Sequence, residues 1–277
     1  MNLKAKINGK KILIRILRTI ALAYVLGIIV LFFLEPYLLF PGSPIIAGEP
    51  QKYGLLNFKK ITLNTGDGVT ITGWFKQTSR KRKTIIYFYG NGDSLANYPS
   101  FFKKLGDAGY SVLAINYHGY SDSGGKPSET ALYDDSMAAL KFAEQFTPEK
   151  DIILVGRSLG SGVATDLASK TKPGGLVLIS AFTSIPDVAA NIYPFLPVHL
   201  IARYEFNSLD KIPAVKCPIL LLHGDKDTLV LPSSAQLLFD AAKSEKKLKY
   251  YQNYDHLNIP YSQIADDIIQ FANAVPK

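Results

Sequence analysis

From residue 84 onward the chain carries short, near-continuous apolar runs: Thr84–Tyr89, Tyr110–Tyr117, Asp151–Val155, Leu176–Ser180, Ile219–Leu222 and Leu248–Tyr251. Runs of this length and composition mark strands buried on both faces, as in a parallel sheet. Stretches of helical character separate them, at roughly 94–107, 130–146, 159–171, 232–244 and 260–274. Upstream the pattern changes. Ile61 and Leu63 alternate with polar residues, Thr65-Gly66-Asp67-Gly68 supplies a turn, and Val69, Ile71, Gly73 and Phe75 alternate again. That is a β-hairpin signature. The hairpin and the six runs predict an α/β fold, a mostly parallel eight-stranded sheet with helices on both faces. Residues 181–213 break the rhythm, with Pro186, Pro194, Pro197 and Pro213 among many apolar side chains. They are expected to form a small cap over the strand edge where ligands bind.

The N-terminus follows neither pattern. Thr19–Leu34 is a stretch of 16 residues without a charge, and Ile12, Leu13, Ile14, Ile16 and Leu17 extend its apolar surface backward. The uncharged stretch alone covers roughly 24 Å as a helix, short of a hydrocarbon core of about 30 Å. Arg15 and Arg18 lie near one end and can snorkel to the headgroups, which makes the span adequate. A cleaved signal peptide is the competing reading. Ile45-Ile46-Ala47 is a poor cleavage site, so retention as an uncleaved signal-anchor is expected. Residues 36–57, with four prolines and three glycines, read as a linker or irregular lead-in. The expected organisation is therefore a basic tail and transmembrane anchor over 1–35, the lead-in over 36–57, and a globular domain over 58–277 with its cap at about 181–213.

Charge agrees with this division. The formal net charge is +8, yet Lys4, Lys6, Lys10, Lys11, Arg15 and Arg18 supply six positives within an acid-free 1–34. The remainder holds 25 basic against 23 acidic residues, a balance that removes the main support for nucleic-acid binding. Positive charge on the N-terminal flank predicts a cytoplasmic N-terminus, with the globular domain on the other side of the bilayer. The run Arg80-Lys81-Arg82-Lys83 is expected to be a solvated loop between strands. A single cysteine, Cys217, excludes an internal disulfide framework and reads as a small buried hydrophobe.

The chemistry-bearing residues lie after the predicted strands. Ile152–Val155 runs into Gly156-Arg157-Ser158-Leu159-Gly160-Ser161-Gly162 and then a helix. In a G-x-S-x-G turn between strand and helix the serine takes a strained backbone, and its oxygen stands exposed above the strand ends. Side chains at positions 156 and 160 are expected to collide across the turn, and Gly162 is expected to let the helix approach the sheet. A serine hydroxyl needs a base to take its proton, and the base needs an orienting group. Asp225 and Asp227 follow the strand Ile219–Leu222, and Asp255-His256 follows Leu248–Tyr251. His256 is the expected base. Asp227 is the expected acid, with Asp225 the alternative nearer the strand. Acyl transfer also needs donors for the oxyanion. The N–H of Leu159 is one, and Asn91 in the loop Gly90–Ser94 is favoured over Gly90 for the second.

Other polar residues have plainer readings. His223 is expected to order its own turn, His118 to sit in a loop near the pocket, and His199 to lie in the cap within reach of substrate. Asp122-Ser123-Gly124-Gly125 reads as turn chemistry. No H-E-x-x-H or comparable spacing supports a metal site, and no cofactor is implied.

Together, Tyr-Phe-Tyr-Gly-Asn-Gly-Asp (87–93), Gly-Arg-Ser-Leu-Gly-Ser-Gly (156–162), His-Gly-Asp-Lys-Asp-Thr-Leu-Val (223–230) and Asp255-His256 resemble the α/β-hydrolase superfamily. Within it the chain looks like the single-pass, membrane-anchored serine hydrolases that include the depalmitoylating hydrolases. The resemblance implies Ser158 as nucleophile, Asp227 as acid, His256 as base, and Asn91 and Leu159 at the oxyanion positions. One departure is local: the family usually has His-Gly-Asn where this chain has Tyr89-Gly90-Asn91. The oxyanion group is a backbone N–H, so the chemistry survives that change. The expected function is a membrane-anchored serine hydrolase cleaving carboxylic ester or thioester bonds through an acyl-enzyme. A small-molecule or lipid-like acyl substrate is implied by the apolar cap residues Phe182, Ile192, Tyr193, Phe195, Leu196 and Leu200. The alternatives are a serine peptidase on the same fold and a membrane-tethered, non-catalytic binding protein.

Overall fold

The computed structural model describes residues 9–43, 45–78 and 83–276. Arg80, Lys81, Arg82 and the tail lysines Lys4 and Lys6 lie outside them. In chain order the described elements begin with helix α1 (Gly9–Leu39), strands β1 (Lys59–Asn64), β2 (Thr70–Lys76) and β3 (Thr84–Phe88), and helix α2 (Pro99–Asp107). There follow β4 (Ser111–Ile115), α3 (Glu129–Glu144), β5 (Ile152–Arg157), α4 (Leu159–Lys170) and β6 (Gly175–Ile179). Three short helices come next, α5 (Ile185–Ile192), α6 (Val198–Ile201) and α7 (Ser208–Lys211). The chain closes with β7 (Ile219–Gly224), α8 (Pro232–Ala241), β8 (Lys246–Tyr251) and α9 (Tyr261–Ala274).

The strands form one eight-stranded sheet in the order β1-β2-β4-β3-β5-β6-β7-β8. β1 and β2 pair as the antiparallel hairpin, with Ile61 opposite Gly73. β2 also pairs antiparallel with β4, and all remaining pairs are parallel. The apolar runs become strands because the sheet is covered on both faces. β3, β4, β5, β6 and β7 are buried at every residue, which only apolar sequences tolerate. α2 packs with α9 and α3 packs with α4, placing helices on both faces. β8 at the edge alternates instead, with Lys247 and Lys249 turned outward, as suits an edge strand.

All parallel strands point the same way, so the loops after β3, β5, β7 and β8 open at one sheet edge. The insertion between β6 and β7 folds as α5, α6 and α7 over that edge. Its return is tied down by Glu129 at the start of α3, whose carboxylate accepts from the N–H of Glu205 at 2.7 Å and of Phe206 at 2.9 Å.

Two regions and one residue differ from the sequence expectation. α1 continues through Pro36 to Leu39 although Pro36 forfeits its own N–H bond, and the Pro36 carbonyl accepts from Phe40 N–H at 2.9 Å. The lead-in packs rather than hangs free. Phe40, Ala47 and Leu55 are buried, and Trp74 Nε1–H donates to Gly48 O at 2.8 Å. Lys83, expected in solvent, is buried. Its ammonium donates to the carbonyl of Ala272 at 2.8 Å and to that of Val275, closing the C-terminus of α9.

Candidate active site

The turn after β5 is built by what its glycines exclude. Ser158 takes φ 48° and ψ −121°, a strained conformation for a residue with a side chain. A Cβ on Gly156 would come within 2.3 Å of Gly160 O, the predicted collision across the turn. A Cβ on Gly160 would meet Phe88 O at 2.1 Å, so this glycine is required by the end of β3 rather than by the turn itself. A Cβ on Gly162 would meet the Phe182 ring at 3.1 Å and the Phe206 ring at 3.2 Å, so this glycine admits the cap's base rather than the sheet.

Ser158 then stands half-buried at the N-terminus of α4. His256 Nε2 lies 3.0 Å from Ser158 Oγ, and His256 Nδ1 lies 2.7 Å from Asp227 Oδ2. Asp227 also accepts the N–H groups of Leu229 at 3.0 Å and Val230 at 2.8 Å through Oδ1. Burial alone would raise this carboxyl. Hydrogen bonds from His223 and His256 outweigh it and hold Asp227 well below the usual carboxylate range. An ionised carboxylate only accepts, so His256 Nδ1 carries the proton and Nε2 presents its lone pair to the serine hydroxyl. The three groups thus stand in the order that proton transfer out of Ser158 requires.

Asp225 is placed elsewhere. Its Oδ1 accepts the N–H of Asn253 at 2.6 Å and ties the loop after β7 to the loop after β8. His223 Nε2 donates to Val230 O at 2.9 Å and orders its own turn. His118 is buried with Nδ1 2.6 Å from Asp135 Oδ1, away from the cavity, and His199 is exposed beside Asp187 at 3.7 Å. Cys217 is buried, and burial pushes its thiol up to about 12. Asp122 accepts from Thr72 Oγ1 of β2 at 2.6 Å and pairs with Lys60 of β1, so it ties its loop to the hairpin.

Leu159 and Asn91 both line the cavity above Ser158. Leu159 opens α4, where an N–H has no intrahelical acceptor, and a Cβ on Gly90 would come within 3.1 Å of Ser158 Cβ. The loop after β3 and the turn after β5 therefore meet at one point.

Arg157 is the residue that sequence reasoning missed. It is buried, and its Nη1 donates to Asp93 Oδ2 at 2.7 Å while its Nη2 donates to His256 O at 2.9 Å. Tyr98 Oη–H donates to the same Asp93 oxygen at 2.5 Å. One guanidinium thus holds the Gly90–Asp93 loop and the His256 loop together. The available signal was a charged residue at the end of an otherwise apolar buried strand.

The cavity has a volume of about 380 Å³ and its walls are apolar. Phe182, Ile192, Tyr193 and Leu196 of the cap line it as expected. Phe195 and Leu200 do not; they point outward and are 69% and 86% exposed. The opposite wall comes from α1, through Leu31, Phe32, Glu35, Leu38 and Leu39.

A family model described as Hydrolase_4, serine aminopeptidase S33, matches residues 79–210 and 207–259. An uncharacterized protein of Mycobacterium tuberculosis is 32% identical over 193 residues, which are 68% of this chain and 69% of that protein. The lysophosphatidylserine lipase ABHD12 of Danio rerio is 30% identical over 240 residues, covering 72% of this chain and 63% of the lipase. Among solved structures, a Pyrococcus furiosus esterase superposes with a TM-score of 0.70 at 23% identity, over 84% of this chain and 97% of the esterase, a likeness of fold.

Proposed function

This chain belongs to the Hydrolase_4 family of α/β-hydrolases, and from that premise we propose that it is a membrane-anchored serine hydrolase cleaving carboxylic esters or thioesters of hydrophobic acyl groups. Its relatives make it an esterase- or lipase-like hydrolase. The observation that carries the finer reading is the chain of contacts Ser158 Oγ–His256 Nε2 (3.0 Å) and His256 Nδ1–Asp227 (2.7 Å) at the floor of an apolar cavity.

In this reading Ser158 Oγ attacks the acyl carbonyl while His256 Nε2 takes its proton. The oxyanion rests on the N–H groups of Asn91 and Leu159. The intermediate collapses as the bond to the leaving oxygen or sulfur breaks, and His256 returns the proton to it. A water, deprotonated by His256, then cleaves the acyl–Ser158 bond and restores the hydroxyl. Asp227 holds the imidazole tautomer throughout.

α1 is long and apolar enough to cross a membrane, and it supplies the anchor in this reading, with the N-terminus cytoplasmic. The domain boundaries 1–35, 36–57 and 58–277, with the cap at 181–213, belong to the same proposal.

The family description favours one rival, a peptidase. An aminopeptidase must bind a substrate ammonium, and Glu35 is the one carboxylate among the described lining residues. It is already engaged by the N–H groups of Arg203 and Tyr204, so the ester reading is preferred. Amide turnover exceeding ester turnover would reverse that preference.

The test is fluorophosphonate labelling of the full chain in detergent. The wild type is expected to label and Ser158→Ala to lose the label; labelling that persists in the variant overturns the serine assignment. Asp227→Asn is expected to cut kcat by about 10⁴-fold, through loss of the correct tautomer. Unchanged turnover would move the acid to Asp225.

A further inference from the structure

We propose that the membrane helix is itself one wall of the acyl site, so that the acyl chain of the substrate enters from the bilayer between α1 and the cap. The inference rests on the hydrolase reading above and specifies how its substrate reaches Ser158.

The half-covered residues of α1 are Ile28, Leu31, Glu35, Pro36 and Leu39. Apart from Pro36, their spacing of three, four and four residues is a helical stripe, so one face of α1 is packed and the rest is open. That face meets the cap. Glu35 accepts the N–H of Arg203 at 2.9 Å and of Tyr204 at 3.3 Å through its two oxygens. The Arg203 guanidinium lies over the Phe32 ring at 5.2 Å, and the buried Phe40 ring stacks edge-on against Tyr204 at 5.0 Å. Further back along the helix, Tyr24 Oη–H donates to Phe195 O at 2.8 Å. These contacts fasten the cap to the same helix that reads as the anchor.

The consequence concerns access. Leu31, Phe32, Leu38 and Leu39 form the wall facing Ile192, Tyr193 and Leu196, and Ser158 lies on the floor between them. Tyr24 precedes Glu35 by eleven residues, about 16 Å along the axis, so the cap lies beside a stretch of α1 that belongs in lipid. Phe195 and Leu200 turn apolar side chains outward there, near the exposed His199–Asp187 pair. In hydrocarbon a bare carbonyl such as Phe195 O needs a donor, which Tyr24 provides. A slot bounded by a membrane helix and an apolar cap opens to acyl chains rather than to water. Its volume of about 380 Å³ stands at the small end of ligand cavities.

The experiment uses the full chain in phosphatidylcholine vesicles and reads the ratio of kcat/KM for p-nitrophenyl palmitate over p-nitrophenyl acetate. Leu31→Trp fills the wall and Glu35→Ala releases the clasp; each is expected to lower this ratio about tenfold. Tyr37→Ala, on the exposed face of the helix, is expected to leave it unchanged. An unchanged ratio in both wall variants overturns the inference while leaving the hydrolase reading intact. A wild type that turns over neither nitrophenyl ester and takes no fluorophosphonate sinks that reading, and this inference with it.

Discussion

Two buried carboxylates of this molecule are shifted in opposite directions. Asp227 is buried, yet its hydrogen bonds to His223 and His256 hold it below the ordinary range. Asp135 is buried beside His118, and there burial prevails, pushing the carboxyl up to about 7. The unfolded reference for both is about 3.9. A depressed folded value means stability that is complete above that reference and lost as pH falls through the folded value. A raised folded value means the native state holds the extra proton, so stability declines as pH rises from about 4 to 7 and then levels. Melting temperatures between pH 2 and pH 8 are expected to show both slopes. Asp135→Asn should flatten the upper one and Asp227→Asn the lower one, and a wild-type slope unaltered by either variant would contradict the assignment. Arg157 acts at the same scale. Arg157→Lys cannot span Asp93 and His256 together, so kcat is expected to fall about 100-fold with KM and melting temperature nearly unchanged. Alanine should add a stability loss, because it leaves Asp93 without its cation. A kcat that tracks only the melting temperature would make Arg157 structural.

At the scale of elements, the glycines of the turn after β5 are unequal. Gly160 faces the backbone oxygen of Phe88, which cannot give way, whereas Gly162 faces the rings of Phe182 and Phe206, which can. Gly160→Ala is expected to cost about 1–3 kcal/mol or more by overpacking and to abolish fluorophosphonate labelling. Gly162→Ala should keep the label with a smaller loss of stability. Thermal melts and gel labelling check both, and equal effects would contradict the packing described. The serine turn itself was legible, because strand, G-x-S-x-G and helix follow one another locally. The reason for Gly160 was not, since Phe88 lies 72 residues away and arrives only through the β3–β5 pairing. Lys83 shows the same limit. A run of four basic residues reads as solvated, and only the docking of α9 supplies the carbonyls that bury one of them.

Across the whole molecule the decisive relation is between α1 and the cap. If α1 spans the bilayer with its basic flank inside, a phosphatase reporter fused after residue 277 is expected to be active and a cytoplasm-dependent fluorescent reporter dark; the converse pattern would reverse the orientation. The chain alone determined the α/β alternation, the hairpin, the apolar N-terminal stretch and the serine, acid and base candidates. Each is written in local periodicity or in a turn whose steric demands are met within a few residues. Tertiary structure alone decided between Asp225 and Asp227 as His256's partner, fixed Arg157 between two loops, turned Phe195 and Leu200 outward, and laid α1 along the cap. Those outcomes depend on distances between segments far apart in sequence, which local pattern does not encode because it constrains which face is buried and not what lies against it.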